Sequence, residues 1–476
     1  MMRYKSIRAS YVKTGVSAYD GNPLIEALAA LESSKDEILR RLEHFPPVVV
    51  ESERRRSDVI RVGELGRIGS LVYPLAEYRR AGFDLNQNLR EAYVGRNPVT
   101  VEDRRRRALI AADADDHFLA GIFGSSARGQ TILGVSGSGK TTFGARFLEP
   151  YCVVIEHVEY NGQPLLMRQV PCISLAVPHD ATLKSFCSQF FESVDAILGN
   201  THYLREALLV RSVANMARLL RKVATAISLG VIFIDELQNL RAAKGGNAEI
   251  VLNLFSQIID LAGVTLVVAG TPAVERVLSK SVRNIRKLTS GGCCCFPVMN
   301  RTDLQWRALC EAYWSYQFVR RPRRLTETIL DGWHRSSGGN PAFTALSFML
   351  AQRQEIGERE FLDEVSFLRV IETDMCLLKP AINALLTGRS SDLERFDDLL
   401  FRENLVELRE AFAWPDEEGQ HLPSPDAAGN DEAAEKKAAP KQVRQPHRAR
   451  RRPTKGSHPR RPKAKRVRLP VVNPLL

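Results

Sequence analysis

The sequence predicts an α/β protein with a parallel sheet core, a small helical lid, a helical N-terminal extension and a basic, disordered C-terminal tail. Four short apolar runs recur between residues 130 and 270 with helical runs between them, which indicates buried parallel strands. Helical periodicity follows, and then a stretch rich in Pro, Ala, Gly and charge. We therefore divide the chain into an extension (1–125), a core (126–290), a lid (291–403) and a tail (404–476).

Composition places the chain among ordinary soluble proteins. It has 476 residues, of which 44% are apolar and 26% charged. The longest apolar runs fall far short of the roughly 18–20 residues that a bilayer span requires, so we expect no membrane segment. The basic N-terminus lacks the apolar run of a secretory signal, although a transit peptide stays open. Eight cysteines without a CxxC pair favour a reduced, cytoplasmic environment.

The net charge of +12 is concentrated in the tail. From Lys436 onward there are 15 Lys and Arg and no acidic residues, so the rest of the chain carries a net charge of −3. A segment of this kind binds polyanions by releasing counterions, without reading bases. We expect the tail to contact DNA, the alternative being a segment that only keeps the protein in solution.

Two local patterns predict elements outside the main motifs. Residues 23–44 carry apolar residues at helical spacing after Asn22 and Pro23, a good cap and a good first position, so they predict one helix. The run Cys293–Cys295 lies between two glycines and Phe296, which favours a buried strand over a metal site.

The stretch GVSGSGKTT at 134–142 fits the pattern G-x-x-x-x-G-K-[ST] between an apolar strand and a helical run. Its glycines allow backbone N–H groups to point at phosphate oxygens, and the helix N-terminus adds partial positive charge. Lys140 is expected to reach the β and γ phosphates of ATP, and Thr141 to ligate Mg²⁺. The predicted nucleotide-binding residues are Gly134, Ser136, Gly137, Ser138, Gly139, Lys140, Thr141 and Thr142.

Further catalytic candidates follow the next strands. The run VIFI ends in Asp235 and Glu236, where the first carboxylate can hold Mg²⁺ and the second can activate a water. The run VTLVVAG ends in Thr271, whose hydroxyl can contact the γ phosphate. Arg283 and Arg286 lie on a predicted helix beyond it, and either can complete the active site of a neighbouring subunit by stabilising transition-state charge.

The phosphate loop, DELQNL at 235–240, AGTP at 269–272 and the helical lid together resemble an AAA+ ATPase of the initiator-like branch. In that family the lid carries a GNPR-like motif whose arginine contacts the nucleotide. Here the segment reads Gly339-Asn340-Pro341-Ala342, without the arginine. We interpret His334 and Arg335, just before it, as surface residues.

Outside the ATPase core, residues 14–28, 93–100 and 182–199 resemble TnsC, the ATP-dependent regulator of targeted cut-and-paste bacterial transposons. The resemblance implies a ring or filament, hexamer-like or heptamer-like, that assembles on double-stranded DNA with ATP and disassembles on hydrolysis. It also implies contact with a target-selection protein, for which residues 14–43 are the candidate surface, and with transposase subunits. The expected location is the bacterial cytoplasm, on the nucleoid.

DNA contacts from the folded part are predicted at Lys184, Arg211 and Arg218. The last two lie seven residues apart in the run 205–225, which predicts one helix with both on a shared face. Two other functions stay open on the sequence: a DNA motor or helicase loader with the same ATPase core, and an ATP-switched signalling scaffold that does not act on DNA.

Overall fold

The computed structural model describes residues 4–399 apart from 244, 245, 279, 280, 394, 397 and 398. The predicted tail at 404–476, with its expected DNA contact, lies outside these residues. The described part contains eight strands: β1 (Lys5–Arg8), β2 (Gly129–Gly134), β3 (Val153–Tyr160), β4 (Gln163–Gln169), β5 (Cys172–Ala176), β6 (Val231–Asp235), β7 (Thr265–Gly270) and β8 (Cys293–Phe296).

The described residues also form twenty α-helices. Eight precede β3: α1 (Pro23–Glu26), α2 (Lys35–Leu42), α3 (Glu51–Arg54), α4 (Asp58–Glu64), α5 (Ala76–Val94), α6 (Val101–Ala111), α7 (Asp116–Ile122) and α8 (Lys140–Leu148). Six lie between β5 and β8: α9 (Leu183–Leu198), α10 (His202–Leu209), α11 (Val213–Ala226), α12 (Asn247–Gln257), α13 (Glu275–Leu278) and α14 (Val282–Leu288). Six form the lid: α15 (Leu304–Trp314), α16 (Glu327–Ser337), α17 (Pro341–Glu355), α18 (Glu364–Glu372), α19 (Lys379–Thr387) and α20 (Ser390–Leu393).

The main sheet confirms the predicted parallel core. Its strand order is β5-β6-β7-β2-β8, and every neighbouring pair is parallel. The four apolar runs are strands β2, β5, β6 and β7, and β2 and β7 are buried along their whole length. Because parallel strands end at the same edge, the segments after β2, β6 and β7 meet there.

The cysteine run is strand β8, as predicted. It forms one edge of the main sheet, although it lies beyond residue 290, the predicted end of the core. Cys294 is buried, whereas Cys293 and Cys295 are half-buried, which is the alternation of a strand with one face toward the core.

A second, three-stranded sheet has the order β1-β3-β4 and was not predicted. Strand β1 pairs in parallel with β3, and β4 pairs antiparallel with β3. Charged and polar residues interrupt all three strands, and all four residues of β1 are exposed, so no apolar run marks them. This sheet attaches the N-terminal end of the chain to the core.

The prediction of one helix over residues 23–44 is wrong. Helix α1 begins after Asn22, whose side chain accepts from the backbone N–H of Leu24 as expected of a cap. The chain leaves the helical conformation and begins again at Lys35, where Ser34 caps α2 by accepting from the N–H of Glu37. Ser34 interrupts the helical run because its side chain bonds to the backbone of α2, which begins at the next residue.

The prediction of one helix over residues 205–225 is also wrong. Helix α10 ends at Leu209, Val210 is extended, and α11 begins at Val213. Ser212 occupies the N-cap position of α11, with an extended backbone that a continuous helix does not allow. Arg211 therefore lies between two helices and does not share a helical face with Arg218.

The lid is helical, as predicted, and it packs around aromatic side chains. The Trp333 ring stacks between Phe348 and Phe367, with ring centroids 5.0 Å away on each side. A continuous apolar cluster joins these residues to the sheet and to the N-terminal extension. Within the described part of the chain, none of the helices combines the length and apolar character that crossing a bilayer requires.

Candidate nucleotide-binding site

The loop between β2 and α8 has the backbone of a phosphate-binding turn. Gly137 and Gly139 have φ values of +82° and +96°, in the left-handed region that favours glycine. A Cβ at Gly139 would lie 2.5 Å from the hydroxyl of Tyr78, and one at Gly137 would lie 2.5 Å from Oδ1 of Asn340. Conformation and space therefore both require glycine at these two positions.

Lys140 begins α8, and its side chain is buried beneath the loop. Its Nζ donates to the carbonyl oxygens of Gly134 at 2.7 Å and Val135 at 2.9 Å. Of the other predicted loop residues, Ser136 and Thr142 are exposed and Ser138 is buried. The Ser138 hydroxyl has no hydrogen-bond partner among the described residues. In turns of this kind, phosphate oxygens bind where the loop curls, and the Lys140 ammonium lies at that place.

The predicted metal ligands are brought together by the fold. The hydroxyl of Thr141, in the first turn of α8, donates to Oδ2 of Asp235 at the end of β6, over 2.6 Å. One hydroxyl and one carboxylate at one point are the hard oxygen donors that suit Mg²⁺, an ion that keeps several waters in addition to its few protein ligands. The residues present therefore fit the expected ion.

Glu236 follows directly, and its backbone is unusual. Its φ of +57° places a non-glycine residue in the left-handed region, and its side chain is exposed at the edge of the sheet. The Nε2 of Gln238 donates to the Glu236 carboxylate. The Oε1 of Gln238 accepts from the backbone N–H of Thr271 at 3.1 Å. Gln238, which the sequence analysis passed over, thus links the ends of β6 and β7.

Thr271 lies just beyond the tip of β7 and is 2% exposed. Its hydroxyl has no hydrogen-bond partner within the described part of the chain. A buried hydroxyl left unsatisfied costs about 1–3 kcal/mol. An orphan donor at the end of this strand fits a ligand oxygen or a water at the same edge as the phosphate loop.

A cavity of about 410 Å³ opens beside the loop. Its polar side consists of the loop residues Gly137, Gly139, Lys140, Thr141 and Thr142. Its apolar side comes from two distant segments, the extension and the lid: Leu71, Val72, Tyr73, Leu75, Tyr78, Leu309, Tyr313, Ala345, Leu346 and Met349. One basic, polar side and one apolar, aromatic side suit phosphates and a nucleobase respectively. No local pattern marks the apolar residues, so sequence reasoning missed them.

The extension and the lid both bond to the loop backbone. Tyr78 donates its hydroxyl proton to the carbonyl of Gly139 at 2.9 Å, and burial raises the pKa of this phenol well above its ordinary value. Asn340 donates from Nδ2 to the carbonyl of Ser136 at 2.7 Å. The N–H of Ala342 donates to the carbonyl of Gly137 at 3.1 Å. The segment 339–342, which lacks the arginine of the GNPR-like motif, therefore still contacts the phosphate loop.

The interpretation of His334 as a surface residue is wrong. Its ring is half-buried against Trp306, with centroids 5.1 Å apart, and its Nε2 lies 3.2 Å from the carbonyl of Met299. Burial lowers the pKa of this imidazole, outweighing the bond to Met299. Arg335 is exposed, as predicted, and pairs with Glu364 at 3.6 Å.

Arg283 and Arg286 lie on α14, away from the cavity lining. Both are exposed, and neither makes an ion pair or hydrogen bond with any other described residue. The neighbouring Lys287 differs, because its Nζ lies 2.5 Å from Oδ1 of Asp260. The two arginines therefore do not join this chain's own loop and strand ends.

The predicted DNA-contact residues lie on three separate elements. Lys184 is exposed in the first turn of α9, Arg211 is exposed between α10 and α11, and Arg218 is half-buried on α11. Two other basic residues of α11 are committed elsewhere, since Arg221 pairs with Asp116 and Lys222 with Asp113.

The comparisons with known proteins concern the core and the fold. Residues 125–278 match the family described as "AAA domain". A Walker-type ATPase of Pyrococcus abyssi is similar over 54% of this chain and 71% of its own, with 14% identity and a TM-score of 0.37. A variant of Thermotoga maritima RuvB is similar over 73% of this chain and 79% of its own, with 12% identity and a TM-score of 0.32.

A further solved structure, described as the Thermotoga maritima RuvB Holliday junction branch migration motor, is similar over 65% of this chain and 90% of its own. Its identity is 13% and its TM-score 0.32. No curated protein matches the sequence. The family match covers the phosphate loop, the carboxylates after β6 and the tip of β7, and it agrees with the parallel five-stranded sheet. Residues 125–278 therefore have the AAA+ P-loop fold.

Proposed function

We propose that this protein hydrolyses ATP with Mg²⁺ to control its assembly on double-stranded DNA, and that it regulates transposition in the manner of TnsC. One observation carries the catalytic part. The phosphate loop, the two carboxylates after β6 and the buried Thr271 hydroxyl meet at one edge of the sheet, beside a cavity of about 410 Å³.

Each residue has a task that its position allows. The loop N–H groups and Lys140 bind phosphate oxygens, and the Thr271 hydroxyl gains a partner at the γ phosphate or the attacking water. Glu236 accepts the proton of that water. Thr141 and Asp235 would hold Mg²⁺, which neutralises phosphate charge when it is bound.

The TnsC part of the proposal is supported by how two N-terminal motifs fold. The motif at 14–28 contributes Asn22, which donates from Nδ2 to the carbonyl of Tyr93 at 2.7 Å. The motif at 93–100 contributes Asn97, which donates to the carbonyl of Gly21 at 2.9 Å. Two of the three stretches that carry the resemblance are thus joined to each other. We propose that residues 14–43 dock a target-selection protein.

We further propose that Arg283 or Arg286 completes the site of a neighbouring subunit in a ring or filament. The DNA phosphates are contacted by the tail and by Lys184, Arg211 and Arg218. Transposase subunits bind the assembled form. On this proposal the protein works on the bacterial nucleoid.

Electron microscopy with a short duplex tests the assembly. We expect ordered oligomers with a non-hydrolysable ATP analogue, none with ADP or with Lys140→Ala, and persistent oligomers for Glu236→Gln with ATP. Absence of DNA-bound oligomers with every nucleotide would contradict the proposal and favour a signalling scaffold. Sustained DNA-stimulated turnover with displacement of proteins along the duplex would favour a motor.

Salt dependence tests the DNA contacts. If about six tail charges meet phosphates, the logarithm of the association constant falls with the logarithm of salt with a slope near −5. Changing Lys184, Arg211 and Arg218 together to glutamine should make the slope of the full chain shallower by up to about 2.7. A triple change of the exposed residues Arg40, Arg105 and Arg353 to glutamine is the matched control. An equal change of slope in both variants would argue against a contact at the three predicted residues.

A further inference from the structure

Gln238 makes the one side-chain bridge between the catalytic carboxylate and the neighbouring strand tip in the described part of the site. Its amide nitrogen donates to Oε2 of Glu236, and its amide oxygen accepts from the N–H of Thr271 at 3.1 Å. Its side chain is half-buried, whereas that of Glu236 is exposed. Both ends of the amide are therefore used, each on a different site residue.

The local backbone is shaped to let the bridge form. Glu236 has the left-handed φ of +57°, which turns the chain sharply after β6 and places Gln238 in the short 3₁₀ turn that follows. Gly270, at the end of β7, leaves room for it, because a Cβ there would lie 3.2 Å from Oε1 of Gln238 and 2.9 Å from Cγ2 of Val274. The left-handed backbone of Glu236 after β6 and the missing side chain of Gly270 in β7 together leave the Gln238 amide between the two strands.

We infer that Gln238 is a positioning residue that couples the orientation of Glu236 to the position of Thr271. This inference rests on the proposed hydrolysis of ATP with Glu236 as the base. The bond to Oε2 fixes the rotation of the carboxylate and leaves Oε1 to accept the proton of water. Because the same amide is bonded to the backbone of Thr271, a shift of Thr271 that follows a change at the γ phosphate also turns Glu236.

Two single variants and one double variant test the inference, beginning with Gln238→Met, which keeps the length of the side chain and removes both hydrogen bonds. We expect kcat for ATP to fall by about 10- to 100-fold while the Kd for a fluorescent ATP analogue stays within about twofold, because the phosphate-binding groups are unchanged. Asn239→Ala is the matched control, since the neighbouring amide of Asn239 bonds to the carbonyl of Val177 at 2.8 Å instead. Gln238→Asn is the second variant, because it is one methylene too short to bond at both ends.

A double variant gives a readout that a merely structural role would not move. In a Glu236→Gln background, Gln238→Met should cause no further loss, since it acts through the residue already changed.

The outcomes separate this inference from the proposed function. If Glu236→Gln hydrolyses ATP as the wild type does, the role of Glu236 fails, and the inference falls with it. If Glu236→Gln is inactive while a Gln238→Met protein with a wild-type thermal transition keeps wild-type kcat, only the coupling is overturned. A further loss of kcat on adding Gln238→Met to Glu236→Gln would also overturn it.

Discussion

At the scale of single residues, Asn340 combines two tasks. Its Oδ1 accepts from the N–H groups of Ala342 at 3.0 Å and Phe343 at 3.3 Å, which caps helix α17. Its Nδ2 holds the carbonyl of Ser136 in the phosphate loop at 2.7 Å. The residue is fully buried, so each polar atom needs the partner it has.

We predict that Asn340→Ala weakens ATP binding about 10-fold and destabilises the fold by about 0.5–2 kcal/mol, the ordinary cost of losing an N-cap. Thr326→Ala is the matched control, because Thr326 caps α16 in the same lid by accepting from the N–H of Ile329 and is absent from the cavity lining. Titration of a fluorescent nucleotide and urea unfolding measure both effects. Equal loss of affinity in the two variants would show that the cap, and not the loop contact, matters.

At the scale of elements, a buried ion pair fastens the N-terminal extension to the lid. Arg61 on α4 is fully buried and donates to both carboxylate oxygens of Glu360, each at 2.7 Å. Burial alone would raise the pKa of Glu360, but bonds from Arg61 and from the N–H groups of Arg320 and Gly357 outweigh it and lower the pKa from 4.5 to about 2.

This lowered pKa predicts a defined acid sensitivity. Because the unfolded chain takes up the proton more readily, the contribution of Glu360 to stability is present above about pH 4.5 and is lost as the pH falls toward 2. Glu360→Gln should destabilise the protein by about 1–3 kcal/mol at pH 7, because the buried Arg61 loses the lid carboxylate but keeps its ion pair with Asp58 at 2.6 Å. It should also flatten the dependence of the melting temperature on pH in that window.

The matched control for Glu360 is Glu372→Gln, which removes one partner of the solvent-exposed pair with Lys379. Exposed pairs contribute about 0–1 kcal/mol, so this variant should melt close to the wild type. Calorimetry from pH 7 to pH 2.5 distinguishes them. A Glu360→Gln protein whose melting temperature falls with acid as steeply as that of the wild type would show that another carboxylate is responsible.

At the scale of the whole molecule, the candidate nucleotide site of one chain receives no arginine from its own α14. Arg283 and Arg286 are exposed and make no ion pair with other described residues, and the cavity lining does not include them. Free guanidinium groups of this kind suit the transition-state charge of a site on another copy of the chain.

We predict that the double variant Arg283→Ala, Arg286→Ala binds ATP normally and hydrolyses it at least about 100-fold more slowly. Mixing it with the Lys140→Ala protein should restore part of the activity, because the second protein supplies intact arginines to the intact loop of the first. Steady-state phosphate release measures this, with a variant of Arg40 and Arg105 as the control for loss of exposed charge. No recovery on mixing would argue against an arginine supplied by a neighbour.

The sequence by itself determined the polar half of the candidate site. The phosphate loop, Asp235, Glu236 and Thr271 each belong to a contiguous strand and the segment after it, so local pattern and parallel topology suffice to bring them together. The four apolar core strands followed from continuous apolar runs, and the helical lid followed from helical periodicity. The strand of three cysteines was predictable because its flanking glycines mark its beginning.

Only the tertiary structure decided what closes the site. The apolar side of the cavity joins residues near 75, 310 and 345, Asn340 meets a loop 204 residues away, and Gln238 spans two strand tips. The sequence pattern likewise did not predict the helix breaks before Lys35 and Val213 or the sheet that contains β1. These features depend on hydrogen bonds and packing between distant segments, and hydrophobic periodicity records only which face of an element is buried, not what it is buried against.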